Sequence, residues 1–484
     1  MKDMKDRDGI SIPPLKKIHS GKVRDSFRLG NDESKRLIVV SDRISAFDHI
    51  LDSKIPYKGS ILNMLTNFWF NKTKHIIKNH LIEEISSNAS IVQEAKPIKL
   101  EFIVRKYISG SLWRSYSKGQ RKFSTYTLPE GLTQNAALSD IIITPTTKDV
   151  SDQEISYQQI IESKIITKEL LDYIYDVSLS LFKFVSSYLE ERNILLVDTK
   201  FEFATQINDD KLILIDEIFT PDSSRFWYKS QYEKNQIEVE SPDKEFVRKY
   251  LMDAKESKAS KEMPKVLPDD IVCDTTKRYI QLYQDITGML ANQIYSINSS
   301  KISSKNSSKN CNEELYKTLI DKNIIKDGLI VIVMGSKNDL EHALKIKKIC
   351  NLYDVDVMMR VISAHKNGEE ISNLGRELNN SINPTVVIAI AGRSNGLGGS
   401  LAYNLTVPVI NIPPFKDNLD MFLNINSSLI MPQNASVATS VDVEGGTRLA
   451  LKALQLERLK SRFASEIIDL KDKLKNDDQE VQAL

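Results

Sequence analysis

Three runs late in the chain, LIVIVMGS (329–336), TVVIAIAG (385–392) and PVINIPP (408–414), are apolar at nearly every position rather than at alternate ones. A strand with one wet face alternates apolar and polar side chains. A strand covered on both faces does not, so these runs predict a parallel sheet sheathed by helices. Helical stretches separate them, which gives a three-layer α/β/α sandwich. A final helix sets Leu456, Leu459, Phe463, Ile467, Leu470 and Leu474 at steps of three and four. That stripe is expected to be buried against the domain or a partner subunit.

The first half is patterned differently. Residues 170–189 place Leu170, Ile174, Val177, Leu181, Val185 and Tyr188 on one helix face, and short apolar runs follow at 194–198, 201–203 and 211–216. These read as strands that put Glu202 and Asp216 on or beside neighbours. Between the halves, ANQIYSINSSKISSKNSSKNCN (291–312) offers almost nothing a core could bury. The expected division is a domain over 1–290, a Ser/Asn/Lys-rich linker over 291–326 and a domain over 327–484.

Charge narrows the function classes. Lys plus Arg number 66 and Asp plus Glu 65, so no global field favours nucleic acid, and basic residues act locally on small anions. Cys273, Cys311 and Cys350 lack the spacing of a zinc site or a disulfide framework. The charged start, MKDMKDRDGISIPP, has no apolar signal core, and no run approaches the roughly 20 residues of a membrane span. A cytoplasmic protein without membrane or nucleic-acid partners is expected.

Three clusters in the first half carry chemistry. In HSGKVRDSF (19–27), Gly21 precedes Lys22 and Arg24, which strand alternation would aim to one face to grip a polyphosphate. No P-loop pattern accompanies them. In VRKYISGSLWRSY (104–116), Arg105 meets a Ser-Gly-Ser turn able to bind phosphate or carboxylate. DTKFEF (198–203) and LIDEIFTPDSSRFW (214–227) bring together Lys200, Glu202, Asp216, Asp222 and Arg225. Carboxylates on adjacent strands suit Mg2+ carried by a nucleotide, although solvated charge at strand ends would look the same.

In the second half, MGSKND (334–339) would set backbone NH groups at a helix start, where Ser336 and Asp339 can hold phosphate and ribose. VISAHKNGEE (361–370) carries His365 on a loop past a strand, a side chain suited to proton transfer near neutral pH. AGRSNGLGG (391–399) is glycine-rich and permits close backbone approach.

Taken jointly, GKVRD, SDRISAFD (41–48), VRKYISGS, DTKFEF and DEIFTPDSSRFW resemble SAICAR synthetases in order and approximate spacing over 14–288. The resemblance implies a two-lobed, kinase-like α+β ATP-binding fold. The implied reaction is an ATP-dependent ligation of the imidazole carboxylate CAIR to L-aspartate through an acyl phosphate or an equivalent transition state, giving SAICAR, ADP and phosphate. It implies that Gly21, Lys22 and Arg24 bind ATP phosphates, with Lys200 beside them, and that Glu202 and Asp216 hold Mg2+. Arg105, Ser111 and Arg225 would bind the CAIR phosphate, and Asp222 with the loop residues Asp42, Arg43, Ser45 and Asp48 would serve the CAIR and aspartate cleft. His19, His49, His75 and His80 are expected to be structural or on the surface.

MGSKND, SAHK and AGRSNGLG resemble AIR carboxylases of the CO2-using class over about 328–475. The implied fold is flavodoxin-like or Rossmann-like, and the implied activity is a carboxy-lyase that interconverts AIR plus CO2 with CAIR. His365 would carry the proton, Ser336, Asp339 and Ser363 would hold the nucleotide, and Lys366, Gly392, Arg393, Ser394 and Asn395 would line the CO2 site. Asn338 replaces the family's usual Ser, and 415–426 departs from family patterns. An octameric core built by this domain is implied. The alternative is a synthetase whose C-terminal domain is non-catalytic or of the N5-carboxy-AIR mutase type.

Overall fold

The computed structural model describes residues 10–30, 32–47, 49–148, 153–257, 263–289, 304–392 and 396–483. The chain forms two compact units, Ile18–Leu315 and a second built from residues 10–17 together with Tyr316–Leu484. No helix among the described residues is long and apolar enough to cross a membrane.

In the first unit, one antiparallel sheet runs in the order Lys17–Ser20, Arg24–Leu29, Asp32–Val40, Ala89–Gln93, Leu81–Ser86. A second runs Ala137–Thr147, Ala95–Tyr107, Ile194–Gln206, Leu212–Ile215, with Ser224–Tyr228 also pairing to Ile194–Gln206. His80 N donates to Leu214 O and Leu214 N to Lys78 O, so the segment just before the first-sheet strand Leu81–Ser86 is stitched to the edge strand Leu212–Ile215 of the second sheet. The runs read as separate strands at 194–198 and 201–203 are one strand, Ile194–Gln206. Its register shifts near Leu196–Asp198 and Glu202–Ala204 break the simple alternation.

Helix Lys168–Glu190 covers this sheet. Thr167 caps it by accepting from Leu170 N, and its buried face is Leu171, Ile174, Val177, Leu181, Phe182, Val185 and Leu189. The stripe thus starts at Leu171, while Leu170 and Tyr188 are only partly buried. Trp69, Phe102, Phe203 and Tyr279 belong to the same core.

The second unit has a five-stranded sheet in the order Asp356–Val361, Leu329–Met334, Thr385–Ile390, Val409–Asn411, Val437–Thr439, parallel throughout. The strand Leu329–Met334, paired on both sides, feeds two cores, with Ile330, Ile332 and Met334 in one and Leu329, Val331 and Val333 in the other. That division explains the unbroken apolar runs. Two edge strands, 356–361 and 437–439, are too polar or too short to have stood out.

The structure alters three expectations. Residues 10–17 belong with the second unit: Ser11 N donates to Asn380 O, Ile382 N to Ser11 O, and Asn383 Nδ2 to Pro13 O, while Ile12 and Leu15 are buried. The expected linker contains a helix, Ser304–Asp321, with Cys311, Leu315 and Leu319 buried; its first part, 291–303, lies outside the described residues. The final helix, Glu457–Gln482, buries Leu459 and Phe463 but leaves Ile467, Leu470 and Leu474 exposed. The domain therefore covers only its first turns.

Candidate functional site

Period-two alternation puts Asp198, Lys200 and Glu202 on one face of the strand Ile194–Gln206, opposite Arg105, Ile103 and Glu101 of its neighbour. Lys200 Nζ donates to Glu101 Oε1 at 2.7 Å and Glu202 Oε1 at 2.6 Å, and Lys148 also pairs with Glu202. Asp216 follows the end of the strand Leu212–Ile215 in left-handed backbone (φ 62°). Arg24 reaches it from the other lobe at 3.2 Å and pairs with Glu217 at 2.8 Å. Arg24, Glu101, Lys148, Lys200, Glu202, Asp216 and Glu217 line a cavity of about 820 Å3 between the two sheets.

Burial disfavours the Lys200 ammonium, but Glu202, Asp216 and Glu101 outweigh it and raise its pKa. Arg24 is likewise raised, with Glu217 and Asp216 outweighing burial. Both remain cations, as polyphosphate binding requires. His80 also lines the cavity; burial lowers its pKa to about 4, so its ring is neutral.

Lys22 and Arg24 do not share a strand face as alternation suggested. The strand begins at Arg24, and a turn closed by Gly21 N donating to Arg24 O at 2.7 Å carries Lys22. Gly21, Lys22 and Arg24 nevertheless all line the cavity, as do Ser45, Asp222 and Lys244. Asp42 and Arg43 stand behind it: Asp42 accepts from Gly59 N, and Arg43 donates to Asp25 and to Gly21 O, bracing the turn. Asp48 lies outside the described residues.

A smaller cavity of about 260 Å3 is lined by Phe47, Ser111, Arg114, Arg225, Glu245 and Arg248. Phe47 and Arg248 line both cavities, so the two adjoin. Arg105 is buried beside it and donates to Thr144, Asp198 and Ser111. Gly110 has φ +56°, and a Cβ there would fall 2.0 Å from Arg225 Nη2, so the Ser-Gly-Ser turn needs its glycine. Sequence reasoning missed Glu101, Arg114, Glu217, Lys244, Glu245 and Arg248. A helical step of three links Ser111 to Arg114 and Glu245 to Arg248, and that spacing is the signal the sequence carried for them.

Glu202 and Asp216 offer hard oxygens, and among the described residues no group of three or more acidic, His or Cys side chains is assembled to hold an ion. Two carboxylates fit a Mg2+ ion that takes its other ligands from phosphate and water.

In the second unit, the loops with candidate residues leave the carboxyl ends of three adjacent parallel strands, where such sheets bind ligands. Ser336 Oγ accepts from Asn338 N, and Asp339 precedes the helix Leu340–Leu352. Because Asn338 contributes its backbone NH, its departure from Ser leaves this cap intact. Burial raises the Asp339 pKa. Ser363 N donates to Asn367 Oδ1, and Lys366 N to Ser363 O. The His365 ring lies against Gly396, where a Cβ would be 3.4 Å from its Nε2. Gly392 abuts Asn424. Arg393, Ser394 and Asn395 lie outside the described residues.

Comparison with known proteins agrees with this division. A family model described as SAICAR synthetase matches residues 17–265, half of the chain, and one described as AIR carboxylase matches 329–480. The phosphoribosylaminoimidazole-succinocarboxamide synthase of Legionella pneumophila (strain Lens) is 38% identical over 284 residues, 57% of this chain and 89% of that protein. The chloroplastic synthase of Arabidopsis thaliana is 38% identical over 286 residues, 57% of this chain and 68% of that protein. A solved SAICAR synthase from Saccharomyces cerevisiae, complexed with SAICAR, superposes with a TM-score of 0.51 at 33% identity, covering 60% of this chain and 98% of that one. The chain belongs to the SAICAR synthetase family, and an AIR carboxylase family domain follows in the same polypeptide, joining two domains of purine biosynthesis.

Proposed function

We propose that the C-terminal unit carboxylates AIR with CO2 to CAIR and that the N-terminal unit condenses CAIR with L-aspartate, using ATP, to give SAICAR, ADP and phosphate. The observation that carries the ligase reading is the pair of adjoining cavities. One has Lys22, Arg24 and Lys200 facing Glu202 and Asp216, and the other is lined by Arg114, Arg225 and Arg248.

Phosphoryl transfer depends on positioning and on neutralising charge. Lys22, Arg24 and Lys200 hold the ATP phosphates, and Glu202 and Asp216 hold the Mg2+ that neutralises them when bound. Ser111 and Arg225, braced by Arg105, take the CAIR phosphate, with Arg114 beside them. CAIR then extends its carboxylate toward the larger cavity, where Ser45 and Asp222 line the aspartate site.

In the second unit, Ser336, Asp339 and Ser363 hold the nucleotide at the strand ends. His365 moves the proton that the imidazole carbon loses as its bond to CO2 forms. Lys366 and Gly392 line the CO2 site, and Arg393, Ser394 and Asn395 are assigned to it from their motif alone. The exposed apolar faces of Asn418–Leu429 and of the final helix support assembly into a homo-oligomer through this unit, and the size we propose is an octamer.

The test is a coupled assay with AIR, bicarbonate, aspartate and Mg-ATP, following SAICAR and ADP, with His365→Ala alongside. SAICAR made from AIR, abolished by the substitution and restored by added CAIR, is the expected result. A wild-type chain that needs CAIR supplied refutes the carboxylase half. One that needs N5-carboxy-AIR identifies a mutase.

A further inference from the structure

Two lysines converge on one buried carboxylate at the wall of the larger cavity. Lys58 Nζ donates to Asp222 Oδ2 at 2.8 Å, Lys244 Nζ to the same oxygen at 3.4 Å, and Tyr279 OH to Asp222 Oδ1 at 3.0 Å. Lys244 Nζ also lies 3.4 Å from Ser45 Oγ. The Lys58 side chain is 0% exposed and that of Lys244 10%. Lys244, Ser45 and Asp222 line the cavity, and Lys58 is enclosed behind them.

The charge count decides what this cluster does. One carboxylate faces two ammonium groups, Lys58 fully buried and Lys244 at the cavity wall, and like charges so placed disfavour full ionisation. Arg248 adds positive charge from the helix Glu245–Ser257, but it is paired to Glu245. Glu217 acts from farther away and is tied to Arg24. Tyr279 contributes a neutral hydroxyl. Of the two lysines, Lys244 is the one able to release a proton into the cavity.

The electrostatics run the same way. Burial, followed by Lys58 and Arg248, lowers the Lys244 pKa against the attraction of Asp222. Lys244 and Lys58 overcome burial to keep Asp222 ionised. Lys200, ringed by Glu101, Glu202 and Asp216, is held charged instead.

We propose that Lys244 is the general base that deprotonates the ammonium group of L-aspartate, and that Lys58 is a positioning residue acting through Asp222. This rests on the ligase reading above. Neutral Lys244 takes one proton from aspartate, and the freed amine lone pair forms the C–N bond to the activated carboxyl carbon. The bond from that carbon to the phosphate oxygen breaks, phosphate leaves with the electron pair, and the second amine proton passes to phosphate. Lys244 returns its proton to solvent.

The test uses the full chain with CAIR, Mg-ATP and either aspartate or hydroxylamine, whose nitrogen is already unprotonated at neutral pH. Lys244→Arg keeps the charge and cannot act as a base. Its kcat with aspartate should fall by about 10²- to 10⁴-fold at neutral pH and recover as pH rises. Hydroxylamine-dependent ADP release should stay within a few fold of wild type, which also shows that the variant is folded. Lys58→Met should move the acidic limb of kcat/KM for aspartate to higher pH. Unchanged kcat with a raised KM for aspartate in Lys244→Arg, or an equal loss with both acceptors, would overturn the base assignment while leaving the ligase reading standing. A wild-type chain that makes no SAICAR from CAIR and aspartate overturns the ligase reading itself.

Discussion

Arg225 Nη1 and Arg105 Nη1 donate to the same oxygen, Asp198 Oδ2, at 2.7 and 3.2 Å. One buried carboxylate thus anchors both guanidinium groups at the smaller cavity. Removing one partner from a buried ionic group leaves uncompensated charge. Asp198→Ala should therefore cost about 3 kcal/mol of stability, read by urea unfolding, and raise the KM for CAIR more than that for ATP. Equal effects on both substrates would show that Asp198 supports the whole fold rather than this cavity.

Asp243 makes stability depend on pH. Burial pushes its carboxyl up to about 7, against the backbone hydrogen bonds it accepts from Glu245 N and Phe226 N. The sign follows from linkage: between the ordinary carboxyl range and about 7 the folded state binds the extra proton, so stability falls as pH rises through that window. Asp243→Asn should remove this slope, up to about 1.4 kcal/mol per pH unit. Urea midpoints from pH 5 to 8 would measure it, and parallel curves for the two proteins would rule it out.

Ile12 is 0% exposed in the second unit although it precedes the first in sequence. Ile12→Ala should destabilise by about 3 kcal/mol. Hydrogen exchange should accelerate in Leu329–Met334 and Thr385–Ile390 and stay unchanged in Ile194–Gln206. Faster exchange in both places would mean that the units unfold together.

Ile467, Leu470 and Leu474 are exposed on the final helix. If that face joins protomers, Leu470→Asp with Leu474→Asp should lower the mass seen by light scattering without lowering the unfolding midpoint of the Ile18–Leu315 unit. A wild-type monomer would remove the assembly proposal.

Much of the fold was legible because it is local in sequence. Apolar runs report a strand covered on both faces, steps of three and four report a helix face, and both signals lie within a few residues. The motifs led to Lys22, Arg24, Lys200, Glu202 and Asp216 for the same reason, since each sits in a short stretch of distinctive residue types. The alternation of Asp198, Lys200 and Glu202 also contained Asp198, which was passed over.

The parallel sheet, the long buried helix and the division into two catalytic-type halves were thus determined by the sequence alone. Only the tertiary structure decided that residues 10–17 complete the far unit, that Asp42 and Arg43 brace the cavity wall, and that Lys58, Asp222, Lys244 and Tyr279 meet. Lys58 and Asp222 are 164 positions apart, and no periodicity reaches across such a gap. Their charges interact because folding brings them within 3 Å and excludes the water that would have screened them.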